Sequence, residues 1–253
     1  MRSSPVTVGV SLKTYFGNAQ ARDWLVTIAA RAAIHPAVTD GSVALFIIPT
    51  YLQLHDALAA FAGTAVRIGA QDVSQFGPGP YTGEVTAHEL AEIGVTLAEI
   101  GHAERRRLFG DTGQVVAAKT AAALDRGITP VLCIGETEEA MATPATAIAQ
   151  LRDALDGAPA GPVVVAYEPV WAIGAPEPAP ADHIAAVAAA LRTELDGMPG
   201  RGASVVIYGG SAGPGLLTRL GASVDGLFLG RLAHKPDNLL AVLDEASTLA
   251  HSR

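Results

Sequence analysis

The sequence holds a single cysteine, Cys133, in 253 residues, so no internal disulfide can form. That fits a reducing compartment, and a cytoplasmic location is the expectation. No apolar run approaches the roughly 18 residues of a membrane span, so no membrane partner is expected. Met1 to Phe16 lacks the charged-then-apolar layout and small-residue cleavage site of a signal peptide. Charged residues make up only 17%, and the net charge of −8 argues against nucleic acid as the main partner. A small anionic ligand stays open, because local backbone dipoles can outvote a net charge. There are no clustered Cys/His ligands and no Gly-x-Gly-x-x-Gly turn after the first strand. Neither a metal nor an organic cofactor is therefore expected. The chain also lacks a composition break, a low-complexity tract or a charged tail, which predicts one domain over 1–253.

What is present is a large apolar fraction, 49% of residues, too high for disorder. Short, continuously apolar runs recur at Val6–Val10, Val43–Ile48, Ala65–Ala70, Leu97–Ile100, Thr129–Ile134, Val163–Ala166, Val205–Tyr208 and Gly226–Leu229. Runs of this kind, without alternation, predict strands buried on both faces. Between them lie Ala- and Leu-rich stretches at helical spacing, such as Ala19–Ala33, Gln114–Arg126, Ala181–Leu195 and Asp237–Ala250. Strict βα alternation implies a parallel sheet with right-handed crossovers. Eight such units in about 250 residues predict a closed, parallel, eight-stranded α/β barrel with outer helices. A doubly wound open sheet is the alternative.

In such a barrel the chemistry sits at the C-terminal strand ends. The first strand leads to Ser11 and Lys13, the fourth to His102, Glu104 and Arg105, the fifth to Glu136, and the sixth to Glu168. The seventh ends in Gly209-Gly210-Ser211 and the eighth in Gly230-Arg231. A carboxylate can act as general base, an imidazole can polarise a carbonyl, and a lysine can hold developing negative charge. Glycine-rich turns that expose N–H groups suit a phosphate. Taken singly, each signal has a plainer reading. A lone histidine is usually a packed or surface residue, Lys13 a solvated one, Glu168 a salt-bridge partner, and Gly-Gly a turn. His102, Glu104 and Arg105 could form a structural ion-pair network. Cys133 reads as packing. Their joint occurrence at the correct strand ends favours the chemical reading.

The motifs carry a resemblance. Tyr167-Glu168-Pro169-Val170-Trp171-Ala172-Ile173-Gly174 resembles the catalytic-base and lid signature of the triosephosphate isomerase family. Gly101-His102-Ala103-Glu104-Arg105-Arg106, Cys133-Ile134-Gly135-Glu136-Thr137, Tyr208-Gly209-Gly210-Ser211 and Asp225-Gly226-Leu227-Phe228-Leu229-Gly230 match in the family's order. The resemblance spans nearly the whole chain and implies a TIM barrel. That family is itself a standard case of pKa tuning, so the roles that follow are implied by the resemblance. Glu168 is the base that moves a proton between two carbons. His102 is the neutral electrophile, Lys13 supplies positive charge, and Glu104 orients the region between them. Backbone N–H groups of Gly174, Ser211, Gly230 and Arg231 hold the phosphate, and Ser11 borders the substrate. The resemblance also implies a homodimer through the third loop, around Thr82.

The chain departs from the family at the site itself. Ser11 stands where the family has Asn, and a hydroxyl cannot offer an amide's two donors and acceptor together. Ala103 replaces a serine beside His102. The lid tip reads Gly174-Ala175-Pro176-Glu177-Pro178-Ala179-Pro180 in place of Gly-Thr-Gly-Lys-Thr-Ala. The prolines stiffen it, and Glu177 adds an anion near the phosphate. Arg231 replaces a phosphate-binding glycine. Together these resemble a branch of the family that acts on four-carbon ketose phosphates, the erythrulose phosphates of tetritol catabolism. The expected activity is a cofactor-free isomerisation of a small phosphorylated sugar through an enediolate, with a tetrulose phosphate as substrate. The alternatives are the ordinary glycolytic triosephosphate isomerase and, from another class, a non-catalytic phosphosugar-binding barrel.

Overall fold

The computed structural model describes residues 4–253. Residues 1–3 of the expected 1–253 domain lie outside the described residues. Eight strands alternate with helices: β1 (Val6–Ser11), β2 (Val43–Ile48), β3 (Arg67–Ala70), β4 (Leu97–Ile100), β5 (Thr129–Ile134), β6 (Val164–Tyr167), β7 (Val205–Tyr208) and β8 (Gly226–Leu229). Each pairs in parallel with its sequence neighbour, and β1 pairs with β8 to close the barrel. The expected strands are all present with shifted ends. β1 and β6 run one residue further, to Ser11 and Tyr167, whereas β3 starts at Arg67 because the Val66 N–H is drawn to the Thr64 hydroxyl at 3.3 Å.

The apolar runs are explained by two dry layers. Phe46, Ile48, Leu97, Val131, Val164, Ala166, Ile207 and Phe228 fill the barrel interior together with Cys133, which is packing as expected. Alternate residues such as Val6, Val8 and Val10 pack outward against helices, for example Leu25 and Ile28 of Asn18–Arg31 and Leu239 and Val242 of Pro236–Ser252. Neither face of a strand meets water, so neither shows alternation. Gly9 is required where it stands, because a β-carbon there would run into the Phe46 ring. That ring packs 5.8 Å from Phe228 in the barrel interior. The filled interior leaves the C-terminal mouth as the place where polar side chains can gather. No helix among the described residues is long and apolar enough to cross a membrane.

Candidate active site

Glu168 is the first residue after β6, and its N–H donates to Ile134 O at 2.7 Å. The side chain is only 6% exposed. Two glycines make room for it: a β-carbon at Gly209 would strike its carboxylate, and one at Gly135 would strike its carbonyl. Glu168 Oε2 is buried with no hydrogen-bond partner. Burial, then the nearby Glu99 charge, push its pKa up to about 8. A buried carboxylate with a free oxygen that resists ionisation is a strong base once it has lost its proton.

His102 follows β4 and caps the helix Ala103–Phe109. Its Nδ1 accepts from the Glu104 N–H at 3.2 Å. A nitrogen that accepts cannot carry the proton, so the neutral ring carries it on Nε2. Nε2 lies 3.6 Å from Glu168 Oε2. Burial, then the charge of Lys13, lower the His102 pKa to about 4, so the ring is neutral near pH 7. Lys13 Nζ donates to Glu104 Oε1 at 2.9 Å. Burial alone would lower the Lys13 pKa, but the bond and charge of Glu104 prevail and raise it. Burial likewise opposes ionisation of Glu104, and Lys13 outweighs it, so Glu104 sits below its ordinary value. The arrangement therefore offers a base, a neutral N–H donor and a fixed cation around one point.

Backbone strain concentrates here too. Among the described residues, the non-glycine positions with positive φ are Lys13 at +50° and Ser211 at +43°. Strained residues persist where the surroundings hold them, commonly at functional sites. Gln71 Nε2 holds the Lys13 carbonyl at 2.9 Å.

Lys13, His102, Glu104 and Glu168 line one cavity of about 610 Å³ with Ser11, Gly174, Ser211, Gly230 and Arg231. All the expected site residues thus meet at the C-terminal mouth. Ser211 Oγ faces two lid carbonyls, Ala172 O at 2.9 Å and Ala175 O at 3.0 Å, and the Ala179 N–H donates to Tyr208 Oη at 3.0 Å. The lid is therefore tied to the end of β7 on both sides of its proline-rich tip. Pro176 lines the catalytic cavity, but Glu177 does not. Glu177 borders a separate hollow with Arg219, on the outer side of the tip. The exposed Arg231 places its guanidinium carbon 5.7 Å from the Tyr15 ring centroid, at the rim.

Glu104 and Arg105, adjacent in the motif, part company in the structure. Glu104 turns to Lys13. Arg105 turns away and joins Asp72, Asp111 and Lys119 in a buried ion network. Two residues were missed, Gln71 and Glu99. Glu99 is 3% exposed, lies on β4, and accepts from Ser11 Oγ at 2.7 Å through Oε2. Burial pushes its pKa up to about 7. An acid inside an otherwise apolar barrel strand was the available signal.

The loop around Thr82 projects from the same end of the barrel after β3. Phe76 and Tyr81 stack across it at 4.2 Å, both partly exposed, and Glu84 N–H closes a turn on Tyr81 O at 3.1 Å.

The family model described as Triosephosphate isomerase matches residues 6–246. The chain belongs to the triosephosphate isomerase family. Among curated relatives, an L-erythrulose-1-phosphate isomerase of Pectobacterium atrosepticum is 48% identical over 99% of each chain. Another L-erythrulose-1-phosphate isomerase, from Mesorhizobium japonicum, is 36% identical over 82% of this chain and 85% of its own. A triosephosphate isomerase from Thermus thermophilus is 36% identical over 94% and 97%. These relatives are named for two different substrates, L-erythrulose 1-phosphate and triose phosphate.

Proposed function

We propose that the protein is a cofactor-free isomerase of a four-carbon ketose phosphate, taking a tetrulose 1-phosphate such as L-erythrulose 1-phosphate. Glu168 carboxylate removes the proton from the hydroxyl-bearing carbon beside the carbonyl. The electron pair forms the enediolate, whose oxygens take a hydrogen bond from His102 Nε2–H and face the charge of Lys13. Glu168 returns the proton to the former carbonyl carbon, and the hydroxyl proton passes between the two oxygens with His102 as donor. The carbonyl moves one carbon along, no atom is gained or lost, and the tetrulose 1-phosphate becomes a tetrulose 4-phosphate. N–H groups of Gly174, Ser211, Gly230 and Arg231 hold the phosphate, and the docked lid excludes water from the enediolate.

The observation that carries the chemistry is the buried Glu168 carboxylate, whose Oε2 has no hydrogen-bond partner and lies 3.6 Å from a histidine N–H donor. It disfavours the non-catalytic barrel, since a binding module gains nothing from an unsatisfied buried acid. The four-carbon substrate is supported by Ser11 in place of the larger amide and by the 48% identical relative over the full length. The protein works as a cytoplasmic homodimer, with the Thr82 loop reaching its partner. The test is kcat/KM for L-erythrulose 1-phosphate and for dihydroxyacetone phosphate, side by side. The tetrulose phosphate is expected to be the better substrate. A value for the triose near the diffusional ceiling of about 10⁸–10⁹ M⁻¹s⁻¹ would make this an ordinary triosephosphate isomerase.

A further inference from the structure

Glu99 has no part in the proton transfer just described. It is a fully enclosed acid on an inward position of β4, two residues beyond Leu97 of the interior core. One oxygen, Oε2, accepts from Ser11 Oγ at 2.7 Å. The other, Oε1, is 4.0 Å from His102 Nε2, beyond hydrogen-bond distance. Lys13, whose charge acts on Glu99, is already engaged by Glu104 at 2.9 Å. Buried carboxylates are ordinarily paired with a cation or fully hydrogen-bonded. This one is held by a single neutral hydroxyl and borders the catalytic cavity. Nothing in the packing explains it.

Its depth supplies the reading. Gly174, Ser211 and Gly230 lie in loops beyond the strand ends, at the mouth. His102 and Glu168 sit immediately past the ends of β4 and β6. Ser11 and Glu99 lie within β1 and β4, one level further in. A substrate anchored by its phosphate at the mouth and deprotonated at Glu168 points its far end at Ser11 and Glu99. In a triose phosphate that end stops at the reacting hydroxyl. In a tetrulose 1-phosphate it continues into a hydroxymethyl group, whose O–H needs an acceptor.

We infer that Glu99, aligned by Ser11, is the specificity-determining residue for the fourth carbon, accepting the hydrogen bond of the substrate's terminal hydroxyl on the cavity floor. The inference deepens the four-carbon reading and rests on it. A site built to bond a substrate hydroxyl strongly rejects the analogue that lacks it, because the buried polar group is then left unpaired. Glu99 thus acts in both directions: it favours the tetrulose phosphate and penalises the triose phosphate.

The experiment compares kcat/KM on L-erythrulose 1-phosphate and dihydroxyacetone phosphate for the parent enzyme and for Glu99→Leu, Glu99→Gln and Ser11→Ala. In Glu99→Leu the tetrulose value is expected to fall at least about 100-fold and the triose value to hold or rise, so that the ratio moves toward the triose. Glu99→Gln, which keeps an acceptor, is expected to fall between parent and Glu99→Leu. If Glu99→Leu does not fold, Ser11→Ala removes one hydroxyl and reads the same ratio. Equal losses on both substrates, or an unmoved ratio, would overturn the inference and leave the four-carbon assignment standing. A parent enzyme inactive on the tetrulose phosphate would overturn the assignment itself, and this role with it.

Discussion

Two clusters of buried charge lie within a few residues of each other, and they are built on opposite principles. In the first, Lys119 Nζ reaches Asp72 at 2.8 and 2.9 Å and Asp111 at 2.8 Å, while Arg105 Nε bridges the same two acids at 2.7 and 3.0 Å. Two cations meet two anions, and every charge has a partner. In the second, Glu168 and Glu99 share the barrel mouth with a neutral histidine and a lysine already paired to Glu104. There the carboxylates outnumber their cations, and the pKa values of Glu99 and Glu168 climb. A satisfied network holds a helix to a barrel. An unsatisfied one stores the reactivity of a base, and a ligand completes it. Proximity to a motif does not say which is which, since Glu104 and Arg105 are sequence neighbours and serve different clusters.

The comparison can be broken most sharply at the base. Glu168→Gln is expected to lower kcat about 10²–10⁴-fold, the usual worth of a general base, with the fold intact by circular dichroism. In the satisfied cluster the effect moves from activity to stability. Lys119→Ala leaves two buried acids to share Arg105 and is expected to cost about 3–5 kcal/mol, read from urea denaturation. Turnover per folded molecule is retained.

A pH series separates the clusters again. Glu168 has an ordinary value of 4.5 and a folded value of about 8, so the folded state binds its proton more tightly than the unfolded state does. Its contribution to stability is full below about pH 4 and is lost as pH rises through 8. Glu168→Gln should therefore melt above the parent at pH 9, by about 2–4 °C for each kcal/mol relieved, with the gap closing toward pH 5. The smallest expected effect is on the rate profile. Glu99 is the second cause of the raised Glu168 value after burial. Glu99→Gln should then move the acid limb of kcat/KM to lower pH, whereas Lys119→Ala should leave it in place.

The barrel was legible because its strands are buried on both faces. Runs such as Val43–Ile48 and Thr129–Ile134 match the observed strands residue for residue. Lys13, His102 and Glu168 were legible because strand ends are predictable once strands are. Glu99 escaped because it lies inside a strand rather than after one, where an isolated acid reads as an exception to an apolar run. Gln71 escaped because its work is on a backbone carbonyl, and no local spacing encodes that. The lid tip was readable as stiff, but not as turned: only the three-dimensional path places Pro176 inward and Glu177 outward.

The central claim is that Glu168 carries the substrate proton through an enediolate. Incubating the enzyme with L-erythrulose 1-phosphate in deuterium oxide and following the carbon-bound hydrogens by NMR tests it directly. The parent enzyme should place solvent deuterium on the hydroxyl-bearing carbon beside the carbonyl, in substrate and product alike and on no other carbon, and Glu168→Gln should place almost none. Deuterium incorporation undiminished in Glu168→Gln would contradict the account.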